Sequence, residues 1–293
     1  MWQQLSLLAR AENAAALESM LLEHGAVAIS YLDAEDQPIF QEEPGSTPMW
    51  ESSVMRALFP ADSDLQALTF LLRHTPAVLN GDDLTVEPLA DQDWERSWMD
   101  DFQAMRFGDN LWICPSWQQP PDPNAVNLKL DPGLAFGSGT HNTTALCLRW
   151  LARQPPEKLE VIDYGCGSGV LALAAVLLGA ELVHAVDNDP LALIATRSNA
   201  ERNDIAESRL RCYEPEQLPA FQVDCLLANI LAQPLIELAP RLIALLRPGG
   251  RLILSGLLRE QIDAVQSAYA GCINFDDPEL DAGWVCLTGL RRA

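Results

Sequence analysis

From residue 159 to the C-terminus, short apolar segments alternate with helical patterns, and this alternation constrains the fold more than any other feature. The segments LEVIDY, ELVHAVD and VDCLLAN begin at residues 159, 181 and 223. Each precedes a stretch in which apolar residues recur at helical spacing. Strands that alternate with helices predict an α/β fold, a doubly wound parallel sheet covered by helices. Near the C-terminus, CINFDD and GWVCLTGL are close enough to pair as a hairpin.

A glycine-rich loop, DYGCGSG, joins the first of these strands to its helix. Gly165, Gly167 and Gly169 carry no side chain, so their backbone could contact a ligand laid across the carboxyl end of the strand. Alone, such a loop is weak evidence. Asp163, just before it, could contact the same ligand or organise the loop by accepting backbone hydrogen bonds.

A second acid, Asp187, ends the next strand, eighteen residues after Gly169. A carboxylate there is expected to accept hydrogen bonds from both hydroxyls of a ribose. Its alternative role is to cap the next helix, but Asp189 is better placed for this because it precedes Pro190. NAD and S-adenosylmethionine share adenosine, whereas the pyrophosphate of NAD favours glycine where this chain has Val170. The pattern therefore favours S-adenosylmethionine over a nicotinamide cofactor.

Asn229 ends the strand VDCLLAN, at the edge where catalytic groups gather in open α/β sheets. Its side chain could accept a hydrogen bond from a substrate amine or from the cofactor's amino group; the alternative is a turn-forming Asn. The residues that follow depart from the Asn-Pro-Pro-aromatic signature, so a flat amide or base is not indicated as the substrate. We predict that Asn229 orients the nucleophile. No dedicated general base is obvious, and His141 is the only histidine near these motifs.

The first 90 residues alternate strand and helix patterns in the order β-α-β-β-α-β, which is the order of a ferredoxin-like unit. Asp62 is expected to cap the second helix. The acidic segment at 91–105 places its large apolar residues on one face of a helix: Trp94, Trp98, Phe102 and Met105. This stripe predicts a helix that joins two domains, with an aromatic ligand cage as the alternative. The Pro-rich stretch at 114–125 is expected to be a loop.

The chain has 41 acidic and 19 basic residues, a formal net charge of −22. Such a surface repels phosphate backbones, which disfavours nucleic acid, and would attract a basic protein; the simpler interpretation is a solubilising surface. Seven cysteines without a CxxC pair indicate free thiols in a reducing cytosol, and four scattered histidines do not indicate a metal site. Because neither a secretory signal nor a bilayer-length apolar run is recognised, we expect a cytoplasmic protein that does not enter a membrane.

A further glycine-rich stretch, LDPGLAFGSGTHNTTALCL at residues 130–148, leads into a helical pattern. Together with DYGCGSG, VDNDP, ANILA and the tryptophan-rich segment at 93–117, it resembles the bacterial ribosomal protein L11 methyltransferases (PrmA). The form D-x-G-x-G-x-G also resembles the first motif of Rossmann-like methyltransferases. The resemblance extends over essentially the whole chain. It implies a seven-stranded Rossmann-like sheet preceded by a small ferredoxin-like domain and a linker helix.

The resemblance also implies domains, partners and residues. A ferredoxin-like domain over 1–90 would bind ribosomal protein L11, and a linker over 91–125 would lead to a catalytic domain over 126–293. The family transfers methyl groups from S-adenosylmethionine to lysine side chains and to an N-terminal α-amine. The matched cofactor-binding residues are Thr144, Gly165, Asp187 and Asn229, with Gly167 in the same loop and Gly137 and Thr140 lining the same pocket. Ser138 and Asn142 depart mildly from the family pattern. The alternative is another protein or small-molecule N-methyltransferase, and a monomer is expected.

Overall fold

We describe a computed structural model of the chain, in residues 2–34, 52–89, 103–131 and 141–293. The chain divides into two compact units, Met1–Trp98 and Met99–Ala293. The predicted domain limits at 90 and 125 remain predictions, and residues 90–102 lie outside the described part of the chain. The two units are described separately.

In its described residues, the first unit has one sheet and two α-helices. Its elements are β1 (Trp2–Arg10), α1 (Ala11–Glu23), β2 (Ala28–Asp33), β3 (Ser52–Pro60), α2 (Gln66–Arg73) and β4 (Thr85–Leu89). The strands pair antiparallel in the order β2-β3-β1-β4. This is the β-α-β-β-α-β topology predicted for the N-terminal residues.

The core of the first unit follows from alternation along β1. Leu5, Leu7 and Ala9 are buried, whereas the residues between them are half-buried, because successive side chains of a strand point to opposite faces. The prediction that Asp62 caps α2 is wrong. The helix begins three residues later than that role requires, with Leu65 at the N-cap position, and Asp64 accepts the hydrogen bond from the Gln66 backbone N–H at 3.1 Å.

The second unit begins with a small sheet that the sequence patterns did not indicate. Its strands are β5 (Met105–Phe107), β6 (Leu111–Cys114) and β7 (Val126–Lys129), in the order β5-β6-β7. Met105 therefore pairs with Ile113 in a strand, and the prediction that it continues a helix is wrong. The other residues of the predicted stripe lie outside the described residues: Trp94, Trp98 and Phe102. The Pro-rich segment between β6 and β7 forms turns and bends, as expected.

The main sheet of the second unit has seven strands in one path. They are β8 (Glu160–Tyr164), β9 (Leu182–Val186), β10 (Leu210–Tyr213), β11 (Val223–Asn229), β12 (Leu246–Leu258), β13 (Ile273–Phe275) and β15 (Trp284–Arg291), with β14 (Glu279–Asp281) paired to β15 alone. The order is β10-β9-β8-β11-β12-β15-β13. The first five strands run parallel, while β15 is antiparallel to β12 and forms the predicted pair with β13.

Helices cover both faces of this sheet. They are α3 (Asn142–Arg153), α4 (Val170–Leu177), α5 (Pro190–Arg202), α6 (Ala232–Glu237), α7 (Ala239–Leu245) and α8 (Ile262–Ala268). The helical pattern that follows VDCLLAN forms two short helices, α6 and α7, because Pro240 has no N–H for a continuous helix and the break falls at Leu238. The strand order reverses between β8 and β11, and such reversals create the ligand crevice of open α/β sheets.

Two further features of the described chain are the state of its cysteines and the apolar character of its helices. All seven cysteines are free thiols, as predicted, and five are buried. Among the helices in the described ranges, none combines the length and the apolar character that a bilayer crossing requires.

Candidate active site at the carboxyl edge of the sheet

The loop between β8 and α4 has a backbone that glycine alone adopts readily. Gly165, Gly167 and Gly169 have φ of 79°, 54° and 82°, in the left-handed region. A Cβ on Gly165 would lie 2.3 Å from Cγ2 of Ile230, so a side chain at this position would also collide with the residue after β11. The glycines thus let the chain turn sharply and bring bare peptide to the crevice.

Hydrogen bonds attach this loop to the end of β9. The carbonyl of Val186 accepts from the N–H groups of Gly165 and Cys166, at 2.7 and 3.1 Å. One residue later, Oδ2 of Asp187 accepts from the N–H of Gly167 at 2.8 Å. Asp187 and the glycine loop, which the sequence places more than fifteen residues apart, are therefore in direct contact.

Asp187 and Asp189 have different roles: Asp189 caps a helix, whereas Asp187 contacts the glycine loop. Oδ1 of Asp189 accepts from the N–H of Leu191 at 2.9 Å and caps α5, as its position before Pro190 predicts. Asp187 is half-buried, and its Oδ1 accepts from the N–H of Asp189 at 3.0 Å. Since each carboxylate oxygen can accept more than one hydrogen bond, Asp187 retains capacity for hydroxyl donors.

Asp163 is buried beneath the loop with 1% of its surface exposed. Its Oδ2 accepts from the N–H of Ala172 at 2.9 Å. This contact corresponds to one of the two roles that the sequence suggested for Asp163, the acceptance of backbone hydrogen bonds that organise the loop. Its Oδ1 has no hydrogen-bond partner among the described residues. Burial raises the pKa of Asp163 to about 7, against the opposing effect of the Ala172 hydrogen bond and with a further increase from the charge of Asp187.

Asn229 and Thr144 meet at the other side of the crevice. Nδ2 of Asn229, at the end of β11, donates to Oγ1 of Thr144 at 3.1 Å. Thr144 is buried in the first turn of α3. The structure therefore brings together two residues that lie 85 positions apart in the chain. Gly137 and Thr140, predicted for the same pocket, lie outside the described residues.

His141 is the N-cap residue of α3. The side chain caps the helix by accepting from the N–H of Thr143, and its Nδ1 lies 2.8 Å from Oγ1 of the same residue. The ring packs edge-on against Trp284, with centroids 4.9 Å apart. Burial lowers the pKa of His141, so the neutral form prevails at pH 7.

Two buried residues that contact the glycine loop were not predicted from the sequence. Oγ1 of Thr196 donates to the carbonyl of Gly167 at 3.0 Å, and Nδ2 of Asn199 donates to the carbonyl of Ser168 at 2.9 Å. Both residues lie on α5. The available signal was weak: two small polar residues three positions apart on a helix with a mixed pattern.

Comparisons with known proteins agree over the full length. The profile of a family described as "Ribosomal protein L11 methyltransferase (PrmA)" matches residues 1–292. A protein of that name from Pseudomonas aeruginosa (strain LESB58) is 54% identical over 295 residues, covering 100% of this chain and 99% of the relative. One from Azotobacter vinelandii (strain DJ) is 53% identical, covering 99% of each. The chain belongs to the ribosomal protein L11 methyltransferase family.

A solved structure supports the same assignment. The ribosomal protein L11 methylase from Lactobacillus delbrueckii subsp. bulgaricus is 33% identical, with a TM-score of 0.60, and the match covers 66% of this chain and 100% of that one. Family membership confirms the predicted family, the Rossmann-like fold class and the methyltransferase activity. The residue roles at the crevice remain predictions that the geometry above makes specific.

Proposed function

We propose that this protein uses S-adenosylmethionine to methylate amino groups of ribosomal protein L11, namely lysine side chains and the N-terminal α-amine. The observation that carries the proposal is the contact between Asp187 and the glycine loop, 2.8 Å from Oδ2 to the N–H of Gly167. It places a carboxylate and bare peptide at one point of a methyltransferase sheet. Family membership over residues 1–292 supplies the substrate class.

The residues of the crevice fit an adenosyl cofactor. At its glycines, the loop offers backbone without side chains. Asp187 offers two oxygens, each of which can accept a hydrogen bond from a ribose hydroxyl. Asp163 adds a buried oxygen without a partner in the described chain, directly below the loop. Helix α4 starts at Val170, where a pyrophosphate-binding loop would favour a further glycine. This agrees with a cofactor that has no pyrophosphate.

Asn229 is assigned to orient the amine that accepts the methyl group. When bound, S-adenosylmethionine supplies a methyl group on a positively charged sulfur. Within the described chain the Asn229 amide makes one hydrogen bond, from Nδ2 to Thr144, which fixes the side chain and leaves Oδ1 to accept from an N–H. The role of the protein is thus to position the amine for in-line displacement.

The amine must be neutral before it can react. A lysine with a reference pKa near 10.4 costs roughly 4–5 kcal/mol to deprotonate at pH 7. Transfer of the amine into the crevice would lower its pKa, because burial disfavours the charged form. His141 is not assigned as the base, since its ring is engaged at the start of α3.

The acidic charge of the chain fits a basic substrate. A net charge of −22 would attract a Lys- and Arg-rich ribosomal protein and speed the encounter. The association rate should therefore fall as salt is raised from low to physiological ionic strength, and a rate independent of salt would return the charge to a solubilising role. The same charge disfavours direct contact with nucleic acid. We further propose that the protein acts as a monomer in the cytoplasm.

The proposal is tested by intact-mass analysis of purified large-subunit proteins. Each protein is incubated with enzyme and isotopically labelled S-adenosylmethionine, with an Asp187→Ala variant as the control. We expect labelled methyl groups on L11 at lysine and N-terminal amines, and much less label with the variant. Label on a different protein, or only on small molecules, would favour the alternative N-methyltransferase. Peptide mapping of labelled L11 then identifies the amines.

A further inference from the structure

The face of α5 that points into the protein carries buried polar side chains. Thr196 is fully buried and Asn199 is 8% exposed. Residues three positions apart lie on the same side of a helix, so both face the loop between β8 and α4. A buried hydroxyl or amide is costly unless it makes hydrogen bonds. At these two positions, α5 therefore depends on particular partners.

Those partners are consecutive carbonyl groups of the glycine loop. Thr196 donates to the carbonyl of Gly167 and Asn199 to that of Ser168, at 3.0 and 2.9 Å. The oxygen of the Asn199 amide accepts from Arg202 at 3.1 Å, which fixes the orientation of the amide. Two carbonyls that no element of regular structure would satisfy are thus held by one helix.

Thr196 also contacts the loop on either side of Gly167. A Cβ on Gly169 would lie 2.7 Å from Cγ2 of Thr196, so the methyl group of the threonine packs directly on that glycine. The sulfur of Cys166 lies 3.5 Å from Oγ1 of Thr196. One side chain therefore contacts three of the four residues from 166 to 169.

The peptide groups that flank Gly167 are held from two directions. Its N–H donates to Asp187 and its carbonyl accepts from Thr196. Without the second contact, a glycine has a wide range of accessible backbone angles. If the loop had to become ordered when the cofactor binds, the affinity would be lower, because the entropic cost of ordering makes the binding free energy less favourable.

We propose that Thr196 and Asn199 are positioning residues that hold the glycine loop in its cofactor-binding shape before the cofactor arrives. They act through the loop and through Asp187 rather than by touching the cofactor. The inference rests on the proposed use of S-adenosylmethionine and goes beyond it, since it assigns a binding role to two residues of α5.

The test compares three variants with the wild type. Thr196→Val keeps the shape and the methyl contact with Gly169 but removes the hydroxyl, whereas Thr196→Ser retains it. Thr288→Val is the matched control, because Thr288, on β15, is also buried and its hydroxyl donates to Asp276 at 2.8 Å. The dissociation constant of S-adenosylhomocysteine is measured by calorimetry, with the melting temperature, KM and kcat of each variant.

We expect T196V to weaken binding about tenfold, the effect of one neutral hydrogen bond, with a matching rise in KM for the cofactor and little change in kcat. T196S and T288V should bind within about twofold of the wild type, even where T288V lowers the melting temperature as much as T196V does. That split separates a role in binding from a role in stability alone.

Two results would contradict the inference in distinguishable ways. If the wild type binds and T196V binds equally well, the helix contacts are structural only and the inference is overturned. If the wild type itself does not bind, the proposed cofactor is wrong. If T196V does not fold, Asn199→Ala tests the neighbouring carbonyl with the same measurements, and unchanged affinity there would also overturn the inference.

Discussion

The two ends of the central strands differ in how their polar groups are satisfied. At the amino end, Arg247 binds both Asp224, at 2.6 Å, and Glu160, at 3.0 Å. The second oxygen of Asp224 accepts from the backbone N–H of Glu160 at 2.9 Å. Glu160 also lies 3.0 Å from Nε2 of His184. These side chains form a connected group in which each charge has a partner.

The exception at this end is Nδ1 of His184, which has no hydrogen-bond partner in the described chain. The ring packs against Tyr213 and Phe221, and burial lowers its pKa despite the nearby Glu160. With Nε2 donating to Glu160, Nδ1 of the neutral ring is an acceptor only. An unpaired acceptor nitrogen among aromatic rings indicates packing rather than a binding site.

At the carboxyl end, the polar groups keep unused capacity. Asp187 and Asn229 use their described hydrogen bonds to hold the loop and α3, and each retains capacity to accept further hydrogen bonds. Asp163 keeps one oxygen unpaired although it is buried. The comparison teaches that the amino end satisfies its charges internally, whereas the carboxyl end holds its polar groups in place and leaves them able to accept further hydrogen bonds.

Asp187→Ala is the strongest test of the difference between the two ends of the strands, and it should have the largest effect. If the carboxylate accepts hydrogen bonds from two ribose hydroxyls, as proposed, its loss should weaken cofactor binding about a thousandfold, because each hydrogen bond to a charged group contributes about 1.5–3 kcal/mol. Titration calorimetry with S-adenosylhomocysteine measures the change. Affinity within a factor of a few of the wild type would remove Asp187 from the ribose site.

Asp163→Asn tests whether the buried carboxyl carries a cost. Because its pKa is raised to about 7 in the folded protein, the folded state keeps a proton that the unfolded chain loses near pH 4. The stability of the wild type relative to the variant should therefore fall with rising pH, by roughly 1.4 kcal/mol per unit between pH 5 and 7. Urea unfolding at pH 5, 6, 7 and 8 provides the values. Parallel pH profiles for the two proteins would show that Asp163 is not perturbed.

Asn229→Ala addresses the other side of the crevice. We expect turnover at saturating cofactor to fall about thirtyfold, or about 2 kcal/mol, because the amine loses the group that orients it. Single-turnover kinetics with L11 separate this step from product release. Turnover equal to that of the wild type would exclude Asn229 from the mechanism.

Arg247→Met should have the smallest effect, and only on stability. Arg247 is 46% exposed, and partly exposed ion pairs contribute about 1 kcal/mol or less. The melting temperature should fall slightly, while KM and kcat remain those of the wild type. A clear loss of cofactor affinity in this variant would mean that the two ends of the strands are coupled, contrary to the comparison.

The sequence predicted the main sheet because its strands are buried on both faces and therefore almost wholly apolar. It also located the loop of Gly165 and Gly167, since positive φ angles select glycine. The small sheet β5-β6-β7 was not predicted, because its strands have only 3 or 4 residues and the first of them begins at Met105, the last residue of the segment whose spacing suggested a helix.

The site was only partly accessible from the sequence for a similar reason. Asp187 and Asn229 follow strands that are easy to recognise, so their place at the carboxyl edge could be inferred. Thr196 and Asn199 lie within a helix, and their importance depends on which face of α5 meets the loop. Tertiary packing decides that face, and the alternation of helix and strand carries no information about it.

The central claim is that the carboxyl edge of the sheet binds an adenosyl cofactor without a pyrophosphate. Titration calorimetry of the wild-type protein with S-adenosylhomocysteine, and separately with NADH, tests it most directly. We expect one-to-one binding of the first compound and no heat of binding with the second. Binding of NADH, or no heat with S-adenosylhomocysteine, would contradict the account.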